Sequence, residues 1–239
     1  MKNVMQFTLA LAVTVLVLAG CNKGGSSDIR VKQIVSGRGF TSTYTYGADN
    51  RVVSIKNSNH SGTTYTYNGN KITQAVADSA RGMFINYTLH LNAAGLLDST
   101  SASDPTGTYL KFDTHDADGY TTLSSEYISG TLKDASHSVF KDGNEISRTI
   151  TDSAAKPLVT VYFEYYTDKP NTLSYENFGM KYIGKDSKNL MKKYAQVLPT
   201  GDTFATGTMV YKFDEKGRVS SKSMFDRRGT LSDSTSFTY

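Results

Sequence analysis

Residues 65–73 read Tyr65-Thr66-Tyr67-Asn68-Gly69-Asn70-Lys71-Ile72-Thr73, two short alternating runs hinged on Asn68-Gly69. Successive side chains of a strand point to opposite faces, so Tyr65 and Tyr67 share one face and Thr66 takes the other. Asn-Gly supplies the positive φ that both central positions of a two-residue type I′ turn require. The stretch reads as a β-hairpin.

The same unit recurs on both sides of it. Upstream, Phe40, Ser42, Tyr44 and Tyr46 alternate with Thr41, Thr43 and Thr45, and the turn Gly47-Ala48-Asp49-Asn50 leads into Arg51–Lys56. Downstream, Met83–Leu91 turns at Asn92-Ala93-Ala94-Gly95 into Leu96–Thr100, and looser copies turn near Asp116-Ala117-Asp118-Gly119 and at Asp142-Gly143. A late copy runs Val210–Phe213, Asp214-Glu215-Lys216-Gly217, Arg218-Val219, and the chain closes on Thr230–Tyr239. Turn signals at roughly 20–25-residue intervals with period-2 patterning between them describe an antiparallel meander. The composition agrees: 16 Tyr, 11 Phe and no Trp fit a pleated, half-buried surface. The expected fold is one all-β domain over residues 29–239, about six or seven hairpins, strongly twisted and curling into a partial barrel. Two sandwiched sheets are the alternative.

One segment departs from the pattern. Asp186-Ser187-Lys188-Asn189-Leu190-Met191-Lys192-Lys193-Tyr194 combines a capping residue with apolar positions at 190, 191, 194 and 198, which predicts a short amphipathic helix near 186–196. It follows the irregular Tyr166-Thr167-Asp168-Lys169-Pro170-Asn171, so residues 166–200 read as an excursion covering one edge or end of the sheet.

The N-terminus carries an address. Lys2 leads into an apolar stretch from Val4 to Ala19, and Leu16-Val17-Leu18-Ala19-Gly20-Cys21 closes it on the chain's only cysteine. That layout is similar to a bacterial lipoprotein signal, which implies cleavage after residue 20 and acylation of Cys21. The run is shorter than the roughly 20 residues of a spanning helix and is interrupted by Gln6, Thr8 and Thr14. Residues 1–20 are thus read as signal peptide and 21–28 as a lipidated flexible tether. With Cys21 acylated, thiol catalysis, thiolate metal sites and disulfides are excluded. Removing residues 1–20 takes away Lys2 alone and lowers the net charge from +4 to +3, too little and too evenly spread for nucleic acid.

No motif for chemistry stands out. Asp113-Thr114-His115-Asp116-Ala117-Asp118-Gly119 is metal-like in composition, but aligned as a calcium loop its end ligands would be Thr114 and Ser125, and its flanks are strands. Asp and Gly there suit a hairpin turn. His60, His90, His115 and His137 share no ligand spacing, and His90 is expected to face solvent beside inward Leu89 and Leu91. Neither a metal nor a cofactor is expected. Glu126, Glu145, Glu164 and Glu176 are available for a glycosidase pair, and nothing in the sequence selects among them. The tyrosine rows read as the core face of the sheet, with a stacking platform for a glycan or peptide as the other reading. The alternate faces carry Lys, Arg and Asp without a continuous aliphatic band, unlike a transmembrane barrel.

The repeated Tyr-x-(Tyr/Phe)-(Asp/Asn)…Gly-(Arg/Lys)-(Val/Leu) unit resembles the YD-type repeats of large secreted β-proteins. With the lipobox and the late insertion (Tyr166–Leu173, Phe178-Gly179, Gly184–Leu190), residues 29–239 resemble the DUF4595-like uncharacterised lipoproteins of Bacteroidota. That resemblance implies location and fold and carries no functional residues. Asp78-Ser79-Ala80 and Asp152-Ser153-Ala154 resemble the O-glycosylation acceptor of the same phylum, which marks Ser79 and Ser153. Surface-export tethers in that group are acidic directly after the cysteine, whereas this one reads Asn22-Lys23-Gly24-Gly25, which points to the periplasmic side of the outer membrane. The functional expectation is a non-catalytic binding or envelope-assembly lipoprotein, held to the membrane at Cys21 and taking a glycan, peptide or protein partner. The alternative is a hydrolase of envelope or dietary polysaccharide.

Overall fold

The computed structural model describes residues 29–104 and 107–239; Cys21 and the tether lie outside the described residues. Sixteen antiparallel strands follow one another around a closed barrel. They are β1 (Gln33–Ser36), β2 (Thr41–Tyr46), β3 (Val52–Asn57), β4 (Ser61–Asn68), β5 (Lys71–Asp78), β6 (Met83–Leu91), β7 (Leu97–Asp104) and β8 (Gly107–His115). The circle continues with β9 (Thr121–Ile128), β10 (Thr131–Lys141), β11 (Asn144–Asp152), β12 (Pro157–Pro170), β13 (Asn189–Val197), β14 (Thr203–Phe213), β15 (Val219–Phe225) and β16 (Leu231–Thr238). The meander is as expected, but its closure is complete rather than partial. β1 pairs with β16, Gln33 opposite Thr238 and Ser36 opposite Thr235, so neither terminal strand leaves an open ladder.

The turns explain why the chain doubles back so regularly. Asp116 Oδ1 accepts the amides of Asp118 and Tyr120 at 3.0 and 2.9 Å, and Gly119 follows at φ 91°, a conformation that glycine adopts without Cβ strain. Asn92, Asp152, Asp214 and Asp226 cap their turns in the same way. Of the aspartates that look metal-like in the sequence, Asp116 is a turn cap and Asp113 lies within β8, paired with Lys111.

The predicted helix near 186–196 is absent. Residues 189–197 form β13, paired on both sides with β12 and β14, because ladder bonds to two neighbours outweigh the weak local helix signal. Asp186 caps no helix; its carboxylate accepts the adjoining Ser187 amide at 2.8 Å. The irregular excursion is also shorter than 166–200. It comprises residues 171–188 and contains two 3₁₀ turns, Tyr175–Phe178 and Lys181–Ile183.

Of the two places expected for it, edge or end, the excursion takes the end: it enters the barrel and plugs it. A barrel of this strand number is too wide for wall side chains alone to fill, and the inserted segment adds core side chains of its own. One side of the plug is apolar. Tyr182 joins Val52, Tyr65, Ile72, Leu89 and Leu97 in a buried cluster, meeting the Tyr67 ring edge-on at 6.3 Å, while Phe178 packs on Tyr44 at 5.5 Å. The inward tyrosines of β2–β7 are therefore core, as expected. Burial raises the phenol pKa of Tyr65 and of Tyr67 to about 12.

Candidate functional site

The plug is sewn to the barrel mouth by backbone bonds. Val31 N–H donates to Asn177 O (3.3 Å), Val52 N–H to Gly179 O (3.2 Å), Lys185 N–H to Gly119 O (2.8 Å) and Lys188 N–H to Gly143 O (2.9 Å). The Val219 amide donates to Thr172 Oγ1 at 3.1 Å. Four hairpin turns and the incoming chain at Val31 are thus tied to one segment. Gly179 makes this approach workable: at φ 69° its missing Cβ would lie 2.7 Å from Val52 N and 2.9 Å from Asn50 O. The chain enters β1 at this plugged end, where Lys32 N–H donates to Thr238 O.

Opposite the tyrosine wall, the plug faces β8–β11 across a polar cavity of about 290 Å³. The inner faces of these strands carry Lys111, Asp113, Ser124, Ser136, Ser138, Glu145 and Arg148, as the cross-strand pairs Asp113–Ser124, Ser124–Ser136 and Ser138–Arg148 require. Residues 185–187 and Tyr175 close the cavity from the plug. Two ion pairs are built into the wall. Lys111 Nζ lies 2.8 Å from the buried Asp113 carboxylate. Arg148 donates Nε and Nη2 to Glu145 at 2.7 Å each, and Ser138 Oγ adds a third donor at 2.7 Å. Burial works against the Arg148 guanidinium, but the adjoining Glu145 carboxylate more than offsets it and raises the Arg148 pKa.

Asp186 stands apart from both pairs. Burial raises its pKa; the nearby Glu145 charge adds to the rise, and the Ser187 amide and Arg148 partly oppose it. Ser187 links plug to wall, donating Oγ–H to Tyr165 Oη at 2.9 Å and accepting the Glu145 amide at 3.1 Å. Burial holds the Tyr165 phenol up at about 12, so it acts as a fixed neutral group.

Of the four glutamates open in the sequence, only Glu145 reaches this chamber wall. Glu126 pairs with Lys133 at 3.0 Å, Glu164 points outward opposite Lys193, and Glu176 lies on the plug beside an outer groove. Asp113, Arg148 and Asp186 come from a turn-like run, an unremarked strand and a misread helix, so no spacing announces them. The signal available was the serine content of β10, whose Ser136 and Ser138 occupy inward positions where a dry core would place aliphatics. His90 and His137 are exposed on the outer face, His60 sits in an exposed turn, and His115 Nε2 lies 3.2 Å from Ile183 O. Ser79 and Ser153 are exposed on turns at the end opposite the plug.

The outer wall is hydroxyl-rich. Thr41, Thr43 and Thr45 of β2, Thr64 and Thr66 of β4, and Ser99, Ser101 and Ser103 of β7 point outward. Outward apolar residues on β8–β12 are interspersed: Phe112 pairs with Ser125, Leu123 with Thr114 and His137, and Tyr162 with Ser147.

No protein-family model and no curated protein matches the chain. Among solved structures, a porin-like protein from Bacteroides uniformis ATCC 8492 matches with a TM-score of 0.63 at 13% identity, over 87% of this chain and 96% of that one. A porin-like protein from Bacteroides vulgatus ATCC 8482 matches with a TM-score of 0.62 at 12% identity, over 88% and 98%. At such identities the likeness is one of fold.

Proposed function

We propose that this chain is a lipid-tethered, non-catalytic binding barrel of the outer membrane, whose ligand seat is the chamber between the plug and β8–β11. The observation that carries the reading is the plug: it ties off one end of a wide barrel and turns the space behind it into a walled polar pocket. The porin-like neighbours support a membrane-associated role for this architecture.

The wall favours attachment over spanning. A transmembrane barrel presents an outward apolar band about 25 Å tall, whereas β2, β4 and β7 present Thr and Ser. Cys21 would then be the sole anchor, with residues 22–28 reaching at most roughly 25 Å. The plugged end would face the bilayer, and the opposite mouth, with Ser79 and Ser153 as exposed glycosylation acceptors, would face away. The Asn22-Lys23-Gly24-Gly25 tether favours the periplasmic side.

The hydrolase alternative is weaker on the same geometry. Three carboxylates line the chamber, but Glu145 is engaged at both oxygens and Asp113 is held by Lys111. Only Asp186 is uncommitted, and one carboxyl does not make the acid and base pair that glycoside hydrolysis uses. A pull-down of the native lipidated protein from membranes against Cys21→Ala tests the assembly role, and calorimetric titration of the purified chain tests the binding role.

A further inference from the structure

We infer that the chamber binds a small neutral polyol, a mono- or disaccharide, seated between the Lys111–Asp113 and Glu145–Arg148 pairs with one face on the Tyr175 ring. This rests on the binding reading above and names its ligand class. Three observations support it.

First, the fixed charges cancel locally. Each cation lies within 2.8 Å of its own carboxylate, so an ionic ligand would have to break a pair that is already formed. Lys185, the remaining ammonium on the lining, is turned to the Tyr120 ring at 5.5 Å. Asp186 is pushed toward its neutral form by burial. A pocket rich in directional groups whose wall charges are already paired matches hydroxyls, which both donate and accept.

Second, Ser124 of β9 and Ser136 of β10 are direct cross-strand partners on the inner wall. Their separation is that of neighbouring strands, close to 5 Å, which suits alternate hydroxyls of a pyranose ring. Third, Tyr175 is 39% exposed although it belongs to a plug whose other aromatics, Phe178 and Tyr182, pack on the barrel wall. An aromatic ring left open beside a polar wall offers the apolar face on which a sugar's C–H surface stacks. About 290 Å³ has room for one or two sugar rings.

The test is saturation-transfer NMR on the purified full chain with three probe sets: neutral sugars (glucose, galactose, N-acetylglucosamine, maltose, cellobiose), zwitterions (glycine, alanyl-alanine) and inorganic phosphate. The expected result is transfer to at least one neutral sugar, abolished in Ser136→Phe, which fills the chamber. Tyr175→Leu is expected to weaken binding roughly tenfold, a loss of about one aromatic contact. Tyr175 is exposed, so that variant keeps the barrel folded even where Ser136→Phe does not. Transfer confined to zwitterions or phosphate overturns the polyol assignment while leaving a binding protein. Sugar binding that neither variant weakens overturns the chamber as its seat. Absence of transfer from every probe overturns the proposal and the binding reading together.

Discussion

Replacing Gly179 by valine is expected to release the plug without unfolding the barrel. The position is held at φ 69°, where an L-residue costs about 1–2 kcal/mol. A Cβ there would also meet Val52 N at 2.7 Å and Asn50 O at 2.9 Å, backbone atoms of the β2–β3 turn that side-chain rotation cannot move. Relieving that contact lengthens the Val52 N–H to Gly179 O bond, and a buried donor left unmade costs about 1–3 kcal/mol. The total is about 2–5 kcal/mol, against a segment held chiefly by the four backbone tethers and the Tyr182 contact. Hydrogen exchange reads the effect directly. The Lys185 and Lys188 amides, which donate to Gly119 and Gly143, should exchange at least roughly thirtyfold faster. Amides of β5 and β6, bonded within the wall, should be unchanged. Unchanged exchange at 185 and 188 would show that the plug is not secured at Gly179. Equal acceleration in β5 and β6 would show that plug and barrel are one cooperative unit.

Other consequences are as direct. Ala155 occupies the turn position elsewhere taken by glycine, at φ 59°, so Ala155→Gly should raise stability by about 1 kcal/mol and the melting temperature by roughly 2–4 °C. Asp186 has a raised pKa in the folded state, so its protonated form favours the fold and stability falls as pH rises from the unfolded toward the folded value. Asp186→Asn should therefore gain in stability on the parent as pH rises above the ordinary carboxylate range and flatten the pH dependence of thermal unfolding there; a parent whose stability does not fall relative to the Asn variant as pH rises would contradict the assignment. Arg148→Met leaves Glu145 buried without its cation and should cost about 2–4 kcal/mol, reduced from a fully buried pair because Arg148 is half exposed. Adding Glu145→Leu should recover much of that loss in chemical denaturation.

The strands were readable and the circle was not. Asn68-Gly69 and the Asp-x-x-Gly turns state their conformation locally, so hairpins can be read from a few residues at a time. Closure depends on Gln33 meeting Thr238, a pairing across nearly the whole described chain that no local pattern encodes. The helix expected near 186–196 failed for the opposite reason: Leu190, Met191 and Tyr194 have helical spacing, but β12 and β14 offered ladder bonds on both sides. The chamber was hidden because Asp113, Glu145, Arg148 and Asp186 are scattered along the sequence and meet only when the plug turns inward.

The central claim is that the barrel is tethered to the membrane and does not cross it. Membrane fractionation of the native chain and Cys21→Ala, followed by an alkaline carbonate wash and a thermal melt, tests it most directly. The account predicts that the native chain stays with the membrane, and that Cys21→Ala is released as a folded barrel with the parent's melting temperature. A Cys21→Ala chain that remains in the washed membrane would mean that the wall itself spans the bilayer.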